Sequence, residues 1–102
     1  MASNSTMIHK LQTAINQNGG KILYQTTQFF SEDQNRPITM YLVKEAIYNE
    51  EKGKNENITL FKSTSQIQIV LYLRDYWYKM NGQEPPDDNE EWNKVKEKLE
   101  NG

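Results

Sequence analysis

Apolar positions are densest between Ser63 and Gly82, and this stretch organises the predicted fold. Serines at 63 and 65 are each followed by a glutamine three residues later, which is the spacing of a capping box. Gly82 stands where a helix end favours positive φ. At 100° per residue, one wide arc carries Ile69, Val70, Leu73, Tyr76, Trp77 and Met80. The pattern therefore predicts an amphipathic central helix over residues 63–81.

The same helix has a second, narrower apolar face formed by Ile67, Leu71 and Tyr78, with Arg74 between the two faces. Two interpretations are open: one of the terminal helices covers this second face, or a partner chain does. We favour a terminal helix. Tyrosine and arginine are enriched in binding hot spots. We therefore interpret Ile67, Leu71, Arg74 and Tyr78 as the candidate partner face.

Three segments before the central helix are rich in β-branched and aromatic residues and predict strands: 21–30, 38–48 and 57–62. The middle segment is ambiguous, because its second half also fits a helix that ends at Gly53. We favour a strand, since a hairpin to the third segment then follows through the polar loop 49–57.

A helix is predicted at each end of the chain. The first begins near Thr6, capped by Ser5 or Thr6, and ends at Gly19 and Gly20. The last follows Pro85-Pro86, with Asp87 or Asp88 as its cap. These elements predict an α+β fold of order α-β-β-β-α-α, in which a three-stranded antiparallel sheet packs on the central helix. Residues 1–5 are expected to be a disordered or tag-derived tail, and residues 6–102 a single domain.

Composition narrows the chemistry. The 102 residues include no cysteine and one histidine, and the formal net charge is −2. The absence of cysteine excludes thiol catalysis and cysteine-based metal sites, and it weakly favours a reducing compartment. The N-terminal segment has no apolar core of a secretory signal, so we expect a cytoplasmic protein. Abundant Asn, Lys and Ile suit an AT-rich genome, as in a low-GC bacterium, a phage or a mobile element.

No motif indicates catalysis or a cofactor. His9 has no second histidine or cysteine to work with, so we interpret it as an ordinary surface or half-buried residue. The acidic group at 87–91 lacks the ligand spacing of a calcium loop and fits a helix start. No glycine-rich phosphate loop is present. We therefore expect no enzyme activity, no metal, no cofactor and no small-molecule substrate.

Aromatic residues and lysines on the predicted strands carry the alternative interpretation. Such a sheet can stack single-stranded bases. The residues concerned are Lys21, Tyr24, Phe29, Tyr41, Lys44, Phe61 and Lys62. Packing of the rings against the central helix would remove them from the surface, and the acidic net charge disfavours nucleic acid.

The preferred hypothesis is a non-enzymatic protein-interaction or regulatory module that binds a protein partner or a second copy of itself. Single-stranded nucleic-acid binding is the alternative, and no membrane association is expected.

Overall fold

The computed structural model describes residues 3–85 and 89–101. Its elements are α1 (Asn4–Gln17), β1 (Ile22–Ser31), β2 (Arg36–Asn49), β3 (Lys54–Ser63), α2 (Gln66–Met80) and α3 (Asn89–Asn101). The strands form one antiparallel sheet of order β1-β2-β3. The predicted α+β class and the order α-β-β-β-α-α are confirmed. No helix in the described part of the chain is long and apolar enough to cross a membrane.

The sheet is staggered around its long central strand. β1 pairs with the first part of β2, from Arg36 to Glu45, whereas β3 pairs with the second part, from Tyr41 to Asn49. Each end of the sheet is therefore a two-stranded hairpin that extends beyond the third strand. The β2–β3 pairing also contains a register shift next to Val43, where Leu60 is the extra residue on β3.

The ambiguous segment is a strand, as predicted. β2 has hydrogen-bonded neighbours on both sides over its middle, and Val43 there is fully buried. A central strand of this kind satisfies its backbone groups in the ladders to both neighbouring strands. Gly53 instead has a φ of +63° in the β2–β3 turn, a conformation that glycine adopts without steric cost.

The helices α1 and α2 pack on each other and on one side of the sheet, α1 against β1 and α2 against β2 and β3. The buried side chains between them form the core: Met7, Ile8, Leu11, Ile15, Ile22, Val43, Ile69, Val70, Leu73, Tyr78 and Trp92. The predicted contact between sheet and central helix is confirmed. The core is nevertheless centred on the α1–α2 contact, because only Ile22 and Val43 represent the strands in it.

Helix starts differ from the sequence expectations. α1 begins at Asn4, and the hydroxyl of Ser3 accepts the Thr6 amide at 3.2 Å, so the cap lies earlier than Ser5. α2 begins at Gln66 rather than at 63, because Ser63 is still paired with Tyr41 in the sheet. The predicted capping box is therefore wrong: Ser65 occupies the cap position without a side-chain capping bond.

The end of α2 agrees with the prediction. Gly82 has a φ of +72°, and its amide donates to the Lys79 carbonyl at 3.0 Å. The next amide, of Gln83, donates to the Tyr78 carbonyl at 2.9 Å. This pair of bonds is a Schellman ending, which requires the left-handed conformation that glycine provides. The caps predicted at Asp87 and Asp88 lie outside the described residues.

Candidate interaction surface

The sheet has a covered side and an uncovered side. Side chains alternate along a strand, so the buried positions Ile22 and Val43 mark the side that faces α1 and α2, which we call the helix face. The intervening residues, such as Leu23 and Leu42, point the other way, to what we call the open face. α3 packs against α1 rather than on this side of the sheet. Over the described residues, the open face has no helix on it.

A central apolar strip follows β2 along the open face. Its members are half-buried or exposed side chains at alternate positions: Ile38, Met40, Leu42, Ala46 and Tyr48. Two apolar residues of β1 widen it, because Phe29 pairs with Ile38 and Leu23 pairs with Lys44. An antiparallel sheet with one solvated face usually alternates apolar and polar residues. β2 departs from this rule, since its solvated side is almost as apolar as its buried side.

Three lysines converge at the middle of the strip. Lys44 pairs directly with Leu23 on one side, and Leu42 pairs with Lys62 on the other. The Lys21 carbonyl accepts the Ala46 amide at 3.0 Å, which extends the same register to Lys21. Lys44 is therefore the diagonal neighbour of both other lysines, at a spacing of about 7–8 Å between backbones. The strand residues of the open face include no carboxylate, since Glu45 and Glu56 lie on the helix side by register.

The structure divides the residues of the predicted nucleic-acid face between the two sides of the sheet. Lys21, Phe29, Lys44 and Lys62 lie on the open face. Tyr24, Tyr41 and Phe61 lie on the helix face and pack against the core. Ring contacts hold these aromatics in place, with Tyr24 stacked on Tyr41 at 6.3 Å and Phe61 on Tyr72 at 4.7 Å between centroids.

Burial raises the pKa of the Tyr24 phenol, and a hydrogen bond from Gln66 lowers it by less. The three aromatic rings that nucleic-acid binding would need for base stacking therefore pack against the core. Phe29 and the exposed Tyr48 remain on the open face, at opposite ends of the sheet.

The predicted partner face is also divided. Tyr78 is 3% exposed and packs between Trp77 and the α3 residue Trp92, with ring centroids 5.2 and 6.4 Å away. The guanidinium of Arg74 lies 5.7 Å from the Trp92 ring and donates to the Asp75 carboxylate at 2.8 Å. Tyr78 and Arg74 therefore contact the C-terminal helix within the same chain, which is the kind of cover that we favour for this face. Leu71 is half-buried and Ile67 is 46% exposed, so only the first turn remains open.

One group of ionisable side chains lies outside the open face, at the contact of α2 with β2. Burial raises the pKa of Tyr72, and neighbouring Tyr76 and the Glu45 carboxylate raise it further. Burial and Glu45 likewise raise the pKa of Tyr76. The carboxylate of Asp75 is 42% exposed and paired with Arg74. Within residues 3–85 and 89–101, no three histidine or acidic side chains are grouped closely enough to hold a metal ion.

The sequence shows the three lysines but not that they lie close together on one face of the sheet. Lys21, Lys44 and Lys62 are spread over three strands, and only the register shows that they share one side of the sheet. The sequence alone does not mark the apolar residues Leu23, Met40 and Leu42 as members of one surface. Their signal was the run of apolar residues at successive positions in 40–43, which is typical of a strand that is apolar on both sides.

Comparisons with protein-family models, with curated proteins and with solved structures found no significant match.

Proposed function

We propose that this protein is a non-enzymatic interaction module whose open face binds an acidic, partly apolar segment of a protein partner. The lysine cluster around Lys44 is the observation that carries the proposal. Lys21, Lys44 and Lys62 lie on one uncovered side of a chain whose net charge is −2. Clustering of one sign of charge on one side of a nearly balanced protein favours a ligand of the opposite sign.

The apolar strip defines the rest of the partner. Leu23 and Leu42 flank the lysines, and Met40 and Ile38 continue the strip toward the β1–β2 turn. Methionine has a flexible, unbranched side chain, so it adapts to partner surfaces of irregular shape. A segment in which pairs of carboxylate residues alternate with pairs of aliphatic residues presents both kinds of side chain on one side of an extended chain. It would place its charges on the lysines and its aliphatic groups on the strip. Binding of this type combines steering by charge with burial of apolar area.

Single-stranded nucleic acid is the second candidate, because phosphates would also complement three lysines. The position of the rings disfavours it. Tyr24, Tyr41 and Phe61 contact the core on the other side of the sheet, so base stacking would depend on Phe29 and Tyr48, which lie at opposite ends of the sheet. An oligonucleotide would then be held mainly by phosphate contacts, whose affinity falls steeply with salt.

The test uses two peptides that repeat two leucines followed by two charged residues, glutamate in one and lysine in the other, together with a twelve-residue oligothymidine. We expect the acidic peptide to shift the amide resonances of Leu23, Leu42 and Lys44. Lys44→Glu should abolish these shifts, whereas Lys94→Glu, an equal charge change at an exposed α3 position, should preserve them. Shifts caused equally by the basic peptide would refute the charge argument. Tighter, salt-sensitive binding of the oligonucleotide would replace the protein partner by nucleic acid.

A further inference from the structure

The outer side of β1 is an unprotected sheet edge. β1 and β3 are the two edges of the sheet, and an edge strand presents unpaired backbone groups that can template another strand. β3 carries Lys54, Glu56 and Lys62, and its ladder is interrupted at Leu60. β1 has no charged residue, no proline and no register shift over ten successive pairs. The usual devices that block edge pairing are present on β3 and missing from β1.

The hydrogen bonds show which backbone groups of β1 face outward. The Ala46 amide donates to the Lys21 carbonyl at 3.0 Å, so Lys21 and Ala46 form a hydrogen-bonded pair. Bonded positions alternate along an antiparallel ladder. The odd-numbered residues of β1 therefore bond β2, and the even-numbered ones direct their amide and carbonyl groups to the free edge.

At Ile22, the first residue of β1, side chains of α1 already occupy the edge. The Asn16 side chain accepts the Ile22 amide at 2.8 Å and donates to the Ile22 carbonyl at 3.0 Å, as a neighbouring strand would. Gln12 adds a longer bond to the same carbonyl. The residues beyond this cap are those whose outward groups remain for another strand: Tyr24, Thr26, Gln28 and Phe30.

We propose that two copies of this chain pair through β1, antiparallel about a twofold axis at Thr27. In this register Tyr24 bonds Phe30 of the second copy, and Thr26 bonds Gln28 of the second copy. Each outward backbone amide and carbonyl that Asn16 leaves free then forms a hydrogen bond with the second copy. Because the contact is twofold symmetric, it ends at a dimer. Shifting the register toward residue 22 would bring Phe30 against a backbone already bonded to Asn16.

Side chains near the edge favour a second copy as the occupant. Phe30 is 59% exposed and lies on the helix face, paired with Pro37. In the proposed register it would pack beside Tyr24 of the second copy, and aromatic cross-strand pairs are among the more favourable ones. The strand has no charge to repel its symmetry mate. Residues 22–24 carry the α1 contacts of each copy. In this register they lie beside residues 30–32 of the other copy, so the two α1 helices are kept apart. This inference rests on the edge of β1 and is independent of the open-face proposal.

Cross-linking tests the twofold position directly. Thr27 is exposed and would face its own copy as a non-bonded pair, with Cα atoms about 4.5 Å apart. The chain has no cysteine, so Thr27→Cys introduces a single thiol. We expect mild oxidation to convert most of this variant to disulfide-linked dimer. Thr59→Cys, an exposed threonine on β3, is the matched control and should stay largely unlinked. Equal linking of both variants, or linking of neither, would overturn the proposed pairing.

A charge exchange tests the same register without covalent chemistry. Thr27→Lys and Thr27→Glu each place like charges across the axis, and each should weaken dimerisation severalfold or more in sedimentation. Mixing the two variants should restore dimer, because the charges then pair. A wild-type chain that sediments as a monomer up to about 1 mM would refute the proposal, since no useful affinity would remain. Dimer that persists in Thr27→Lys would assign the contact to another surface.

Discussion

The helix face and the open face belong to the same three strands, yet only the helix face is packed against the core. On the helix face, Val43 is fully buried and Tyr41 packs against the core. One residue away, Leu42 and Lys44 are half-buried on the side without helices. Burial of apolar surface is the main stabilising contribution to folding. The helix face therefore accounts for stability, whereas the apolar residues of the open face contribute little to it and are available for binding.

This difference shows why apolar content alone does not identify a core. β2 carries apolar residues on both sides over positions 40–43, and its sequence gives no sign of which side the helices cover. The rest of the chain determines which side of β2 is covered, since α1 and α2 bring Leu11, Ile15 and Ile69 to one side. An uncovered side of this composition is typical of a surface that meets a partner.

The largest expected effect comes from placing one carboxylate on each face in turn. Val43→Asp would bury a charge in the core without a partner, so we expect it to lower the free energy of unfolding by at least about 4 kcal/mol. Leu42→Asp puts the same group on the open face, where water can solvate it, and should cost less than about 1.5 kcal/mol. Urea denaturation of both variants measures the difference. Equal losses would show that the open face is also covered.

The next largest effect concerns the cover that α3 provides for α2. Trp92 is 5% exposed and packs against Tyr78 and Arg74. Removing this ring should cost about 3 kcal/mol, as for other buried aromatic truncations. Lys94→Ala, at an exposed position of the same helix, should change stability by less than about 0.5 kcal/mol. Denaturation of Trp92→Ala with unchanged stability would mean that α3 does not cover the Tyr78 face.

The sequence could predict most of the fold but only part of the site. Element order and the strand at 38–48 followed from local composition and turn residues, because these signals act over a few residues. The cover of Tyr78 followed only as a preference for one of the terminal helices. The residue that supplies it, Trp92, did not follow, because it stands on a helix with a thin apolar stripe. The meeting of Lys21 with Lys44 and Lys62 did not follow either. It depends on strand register, which is fixed by long-range pairing and not by the periodicity of any single strand.

A smaller effect concerns the tyrosines of α2 at high pH. Burial raises the pKa of Tyr72, and burial also raises that of Tyr76. A raised folded-state pKa gives stability that is present below the ordinary value near 10 and lost as the pH rises through the folded-state value. We expect stability to fall above pH 10 and to fall less steeply in Tyr72→Phe. An unchanged slope in Tyr72→Phe would contradict this assignment.

The smallest effect is expected at the lysine cluster, and its sign is informative. Lys44 has two lysines as diagonal neighbours and no acidic residue on its face, so the folded chain brings like charges together. Lys44→Glu should therefore raise the free energy of unfolding by a few tenths of a kcal/mol at low salt. The gain should fade at 1 M salt, where the screening length falls to about 3 Å. Lys44→Gln should give a smaller gain. A loss of more than about 1 kcal/mol would show instead that Lys44 supports the fold. A gain in stability combined with a loss of binding is the result expected of a residue retained for its partner, because such residues are rarely optimal for folding.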